Sequence, residues 1–235
     1  MTRVGKNLRS VVSRLDKVLG PVKPLPVKGP FEMILWENVA YLVSDERREA
    51  AFRTLQKLTG TKPKEILVAP REAILAATRL GGMHPEDRVG RLRDIAELAL
   101  SEFEGDDEVL LKMPLAKARK ILKKFPSIGE PGADKILLFS GAQPVFALES
   151  NGLRALLRLG YGEERKNYAA TYRSVLEAVR GELPEDRDEL IRAHLLLRRH
   201  GREICKRLEP LCDVCPVSSG CRYYRDHRGG ARKRT

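Results

Sequence analysis

Apolar positions recur with a helical period along most of this chain, and no stretch shows the strict two-residue alternation of a half-buried strand. Residues 46–58 set Ala50, Phe52 and Leu55 among charged neighbours, the pattern of an amphipathic helix. Residues 70–80 start at a proline, whose fixed φ suits a first helical turn, and stop at Gly81-Gly82. The same reading predicts helices over 86–103, 115–124, 132–140, 150–158, 167–180 and 187–204. Breakers separate them: Gly60, Gly81-Gly82, Gly105, the run from Pro126 to Gly132, Gly141 to Pro144, and Gly160 to Gly162. The expected fold class is all-α, without a repeat of solenoid length. Two segments break the pattern. Residues 20–30 are proline-rich and predict a stiff, extended linker. Residues 222–235 are basic and predict a tail with a disordered end.

Composition narrows the class. At 235 residues the chain has room for one large or two small domains, and a hydrophobic share of 42% fits a folded protein. No apolar run approaches the roughly 18 residues of a bilayer span. The basic N-terminus lacks the apolar stretch of a secretory signal. The expectation is a cytoplasmic, nucleoid-associated protein with no membrane partner. Lys and Arg number 44 against 32 Asp and Glu, a net charge of +12. Such an excess points first to a polyanion, because each neutralised phosphate releases counterions. Surface ion pairs of a heat-adapted protein give a similar composition.

The four cysteines all lie near the end of the sequence, as Cys205, Cys212, Cys215 and Cys221. That clustering argues for one metal centre rather than a disulfide framework. Tetrahedral zinc and a [4Fe–4S] cube both accept four thiolates. Zinc sites usually show two C-x2-C knuckles, and here there is one. Four protein ligands leave no open coordination position, so the centre is expected to be structural. It would fix a short basic loop, with Arg202, Lys206, Arg207 and Arg222 nearby, or simply staple a region with little core of its own.

Residues 121–137 read ILKKFPSIGEPGADKIL. Ile121 and Phe125 end one helix, Pro126-Ser127-Ile128-Gly129 turn, and Ala133, Ile136 and Leu137 begin the next. Such a turn aims backbone N–H groups from a helix N-terminus, where the dipole favours a phosphate.

The cysteine spacing and this turn together resemble the iron–sulfur DNA glycosylases of the helix-hairpin-helix superfamily, endonuclease III and adenine DNA glycosylase among them. His200-Gly201-Arg202 resembles the flank of their cluster loop. Pro30-Phe31-Glu32 resembles the start of their first barrel helix, and residues 146–154 (FALESNGLR) the segment bearing their catalytic carboxylate. The resemblance implies a six-helix barrel domain with the hairpin at 30–143, and a cluster domain built from 1–29 and 144–235. It implies a [4Fe–4S] cluster on the four cysteines, a monomer, and double-stranded DNA with a damaged or mismatched base as partner. It assigns DNA contacts to Ser127, Ile128, Gly129, Gly132, Arg154 and Arg202.

The chemistry departs from the family at three positions. Ser127 replaces the first glycine of the usual Pro-Gly-apolar-Gly turn. Pro131 stands where bifunctional members carry the lysine that forms a Schiff base, and proline has no amine, which implies a monofunctional hydrolase. Glu149 stands in place of the family aspartate, 18 residues after Pro131 and five before Arg154. There it would stabilise an oxocarbenium-like sugar or orient water, or simply cap a helix. Glu37, counted from Pro30, falls where adenine DNA glycosylases carry the acid that protonates the departing base. Burial against Leu35 and Trp36 would keep its proton available, and Tyr41, one turn on, would share its helix face as a third catalytic residue, hydrogen-bonding Glu37 or stacking on a base. Base extrusion needs a residue to fill the gap; Leu42 falls near the intercalating position, and Met83 and His84 in the second such loop. Lys135, one turn after Pro131, reads as a surface charge near phosphate or as a displaced lyase amine. The resemblance thus leaves a monofunctional glycosylase, a catalytically silent DNA-binding homologue and an abasic-site lyase.

Overall fold

The structure, a computed structural model, describes residues 7–141, 144–183 and 185–231. Among these the chain is all-helical: α1 (Leu8–Leu19), α2 (Pro30–Asn38), α3 (Asp45–Thr59), α4 (Pro63–Val68), α5 (Arg71–Leu80), α6 (Pro85–Phe103), α7 (Asp107–Leu111), α8 (Leu115–Leu122), α9 (Glu130–Ser140), α10 (Ser150–Leu159), α11 (Tyr168–Ala178), α12 (Arg187–Glu203) and α13 (Arg222–Ala231). Two 3₁₀ turns, Cys212–Val214 and Ser218–Gly220, precede α13. The chain divides into two compact units, Pro24–Gln143 and Met1–Lys23 with Pro144–Thr235.

The continuous unit carries α2 to α9. Its centre is α2 (PFEMILWEN), which is buried on all sides and therefore shows no stripe; every residue but Glu37 is buried, Glu32 and Asn38 included. It packs on α3, α6, α7 and α9. Trp36 meets Phe52 of α3 edge-on, ring centroids 5.6 Å apart. Proline opens the helix, and its first free donor, the Phe31 N–H, bonds to Asp107 Oδ1 at 3.0 Å. Burial pushes the Asp107 carboxyl up to about 6; the Phe31 N–H opposes that shift and the Glu32 charge adds to it. Glu32 is itself buried, accepting from the Lys28 N–H at 2.7 Å and the Thr61 hydroxyl at 2.7 Å.

The other unit is assembled from segments far apart in sequence. The stripe Leu8, Val12 and Leu15 of α1 packs on α12, in a core shared with Leu153, Leu156, Tyr172 and Leu196. Polar ties follow the same seam: Asp16 pairs with Arg192, the Arg199 guanidinium donates to the Leu19 carbonyl at 2.5 Å, and the Leu8 N–H donates to Glu182 Oε2 at 2.8 Å. Where α12 crosses α10, Gly201 lies so close to Asn151 that an added Cβ would stand 2.3 Å from its carbonyl oxygen. The basic composition predicts a non-helical tail from 222 with a disordered end. Through Ala231 the chain is instead the helix α13, packed on α10; residues 232–235, the end of that tail, lie outside the described residues.

Candidate functional site

Two loops of the continuous unit run side by side. After α2 ends, the Tyr41 N–H donates to the Gly81 carbonyl at 2.8 Å, and Tyr41 and Gly82 form an isolated parallel bridge. This approach requires glycine: a Cβ on Gly81 would stand 2.1 Å from the Val39 carbonyl oxygen. The paired loops display Tyr41, Leu42, Met83 and His84 to solvent, with Leu42 75% exposed. Leu42 and His84 both sit at φ 53°, a region that costs a side-chain-bearing residue energy. Tyr41 therefore does not share a helix face with Glu37, because α2 stops at Asn38. Two arginines that no sequence motif marks brace the loops from behind. Buried Arg88 donates to the carbonyls of Thr78 (2.6 Å) and Gly82 (2.9 Å), and Arg48 donates to the Trp36 carbonyl at 2.8 Å.

Glu37 is not the apolar-sited acid expected from Leu35 and Trp36. Its Oε1 lies 2.6 Å from the Nζ of Lys135 on α9, with only 23% and 14% of the two side chains exposed. Lys135 is accordingly a nearly buried ion-pair partner rather than a surface charge. The pair is 98 residues apart in sequence, so local spacing carries no sign of it.

The hairpin forms between α8 and α9. Ser127 takes φ 63°, the left-handed value that glycine adopts at little cost. Gly129 caps α9 and Pro131 falls in its first turn, where a missing N–H costs no helical bond. Ser127 and Gly129 are exposed, whereas the Ile128 side chain is buried and faces Gly132 from 3.4 Å, measured to the Cβ that an alanine there would add. The Ile128 N–H is itself used inside the turn, donating to the Phe125 carbonyl at 3.2 Å. Behind the turn, buried Asp134 pairs with Arg119 at 2.5 Å.

Glu149 lies in the other unit and caps α10. Its carboxylate accepts from the Gly152 N–H at 2.8 Å and the Asn151 side-chain amide at 2.9 Å, which fixes its position. Burial, then the Glu149 charge, pushes the neighbouring Tyr168 phenol up to about 12, so it stays protonated. From the same helix Arg154 donates to the carbonyls of Gly201 (2.6 Å) and Cys205 (3.1 Å). One turn on, Arg158 donates to those of Lys206 (2.6 Å) and Arg207 (2.8 Å). The two arginines clamp the cysteine loop onto α10. Exposed Arg202 pairs with Glu203 at 3.0 Å.

All four cysteines line one cavity, walled also by Ala155, Leu159 and Ile204. Burial raises the Cys215 thiol to about 11 and also lifts that of Cys212. Burial, then the Arg154 charge, lowers His200 to about 4, leaving a neutral ring whose Nε2 is 3.3 Å from Cys215 Sγ. Among the described residues, no group of three or more His, Cys, Asp or Glu is arranged to hold a single metal ion. Four soft donors around an apolar space suit a larger, thiolate-bound group.

No family model matches the chain. In sequence it is similar to the endonuclease III of Sulfolobus acidocaldarius, 27% identical over 202 residues that span 85% of each chain. In fold it is similar to an endonuclease III solved in a non-covalent complex with DNA, with a TM-score of 0.73 and 18% identity over 97% of this chain and 99% of the other. A thermostable thymine-DNA glycosylase gives a TM-score of 0.73 and 17% identity over 94% and 97%. The chain is thus similar in sequence to endonuclease III proteins and shares the fold of solved DNA glycosylases.

Proposed function

We propose that this protein is a base-excision DNA glycosylase that hydrolyses the N-glycosidic bond of a damaged or mismatched base in duplex DNA. The observation that carries the reading is the Glu37–Lys135 pair, a carboxylate and an ammonium held 2.6 Å apart behind the hairpin. The departing base needs a proton, and Lys135 Nζ holds one within direct transfer distance of Glu37 Oε1. That one proton passes from Lys135 through the Glu37 carboxylate to the base, which leaves Lys135 neutral until solvent water reprotonates it. Glu149 takes the part of stabilising the positive charge that develops on the sugar. Pro131 has no amine to attack C1′, which favours water as nucleophile. Leu42, Met83 and His84 fill the gap left by the extruded nucleotide, and Tyr41 beside them stacks on a base. The exposed hairpin backbone at Ser127 and Gly129, with Arg202, takes phosphates.

Cys205, Cys212, Cys215 and Cys221 would hold a [4Fe–4S] cluster, which when bound cross-links the loop and has no open coordination position. Arg154 and Arg158 orient that loop. The same reading has the protein act in the cytoplasm, on the nucleoid, as a monomer.

Strand release after hot alkali, on duplexes each bearing one lesion or mismatch, tests the reading. One cleaved duplex is expected, with cleavage lost in Glu37→Gln and Glu149→Gln while duplex binding persists. Tight binding without cleavage across the panel would make this a silent DNA-binding homologue.

A further inference from the structure

Beside α10, the unit that carries the cysteines contains a second and much larger opening of about 820 Å³. Six cationic side chains line it, Arg154, Arg158, Arg165, Lys166, Arg207 and Arg222, against two carboxylates, Glu164 and Asp226. The loop from 163 to 167, the N-terminus of α11, the cysteine loop and α13 contribute its walls. Arg154 and Arg158 are committed to loop carbonyls. Arg165, Lys166, Arg207 and Arg222 are exposed and give the groove its field, although Arg165 also pairs with Glu163 at 2.9 Å and Arg222 donates to the Leu157 carbonyl at 3.4 Å.

Aromatic rings lie along the same walls. Tyr223 already engages its neighbours, with the Arg158 guanidinium 4.6 Å from its centroid and the His227 ring stacked at 3.9 Å. Tyr168 is 48% exposed on the groove wall and lies close enough to Glu149 to feel its charge. Ser150, the residue after Glu149, also lines the opening. A basic channel with an accessible ring is the arrangement that holds unpaired nucleic acid: the cations follow the backbone and the ring stacks on a base, whatever its identity. A duplex hides its base faces and has none to offer Tyr168.

We propose that this groove is a binding site for a single, unpaired DNA strand, running from the Glu149 end of α10 between Lys166 and Arg222, with one base stacked on Tyr168. The site needs no base excision, and lesion-free DNA serves to test it, so its failure and that of the glycosylase reading are separable.

The test is fluorescence anisotropy on the full chain, using labelled dT15, a blunt lesion-free hairpin duplex, and unlabelled inorganic polyphosphate as competitor. The variant R165E/K166E removes two exposed cations that lie away from the cysteine cavity. It is expected to weaken dT15 about tenfold and to lower the salt slope by about 1.4, roughly 0.7 per lost phosphate contact. Hairpin affinity should stay within about twofold. Tyr168→Ala is expected to weaken dT15 about tenfold without changing competition by polyphosphate. Tyr168→Leu keeps apolar bulk, and melting curves matching the parent show that each variant is folded. Polyphosphate competing as well as a strand of equal charge would overturn the proposal, as would equal losses on hairpin and dT15, or no dT15 binding at all.

Discussion

Ser127→Gly probes the backbone of the hairpin with little side-chain interference, because Ser127 is exposed. Its φ of 63° places a Cβ in the left-handed region. That placement costs roughly 1–2 kcal/mol for an L-residue and almost nothing for glycine. Glycine is also freer in the unfolded chain, which returns roughly 0.5–1 kcal/mol to the unfolded state. The net expectation is a gain of about 0.5–1 kcal/mol. For a chain of this size that is a rise in melting temperature of about 1–4 °C. Ser127→Val carries a β-branched side chain into the same φ and is expected to lose about 1–2 kcal/mol. Urea titrations followed by far-ultraviolet circular dichroism report both, with midpoints ordered Gly, Ser, Val and slopes unchanged. A glycine variant no more stable than the parent, or a valine variant equal to it, would refute a left-handed Ser127.

Three further outcomes are expected. The folded pKa of Asp107, about 6, lies above its unfolded value of 3.8, so its contribution is fully present below about pH 4 and is lost as pH rises through 6. Asp107→Asn should therefore melt higher than the parent at pH 7 by the equivalent of about 1–2 kcal/mol after allowance for screening, with the difference vanishing near pH 4. Arg154→Met leaves the carbonyls of Gly201 and Cys205 without their donor, at about 1–3 kcal/mol for each buried group; iron per chain should fall, and an unchanged iron content would show that the clamp is dispensable. Leu42→Ala should leave the melting temperature within about 1 °C, since the side chain is 75% exposed. It should nonetheless reduce the fluorescence rise of 2-aminopurine placed beside a lesion, and an unaltered rise would remove Leu42 from base extrusion.

The long amphipathic helices are legible in the sequence because their apolar stripes match their burial. The periodic stretches 46–58 and 86–103 agree to within a residue or two with α3 and α6. The helix α2 shows no stripe because it is buried all round, and only its proline start marks it. The stripe of α1 (Leu8, Val12, Leu15) is present, but it sits among the charges of the basic N-terminus and its partners lie far along the chain. In α13 the charged residues Arg222, Arg225 and Asp226 read as a solvated tail. Packing of Tyr223 and Tyr224 against the core, with the His227 ring stacked on Tyr223, makes the helix. Of the site, the cysteine loop and the hairpin are legible because their chemistry depends on short spacings. The Glu37–Lys135 pair and the Arg158 clamp are not, because tertiary packing joins residues 98 and 48 positions apart.

The unit that holds the cysteines uses both ends of the described chain, and this sets an order on its synthesis. Asp16 of α1 meets Arg192 only after a further 176 residues have been made. At 5–20 residues per second that is a delay on the order of 10–35 s. The continuous unit is complete by then and free to fold first. Over the same interval the apolar face of α1 has no partner from α12, and the last thiol, Cys221, emerges after both. Iron delivery to the proposed cluster has to follow synthesis of Cys221, and a ribosome stalled before it leaves a nascent chain with one finished unit and a helix exposed to chaperones and proteases.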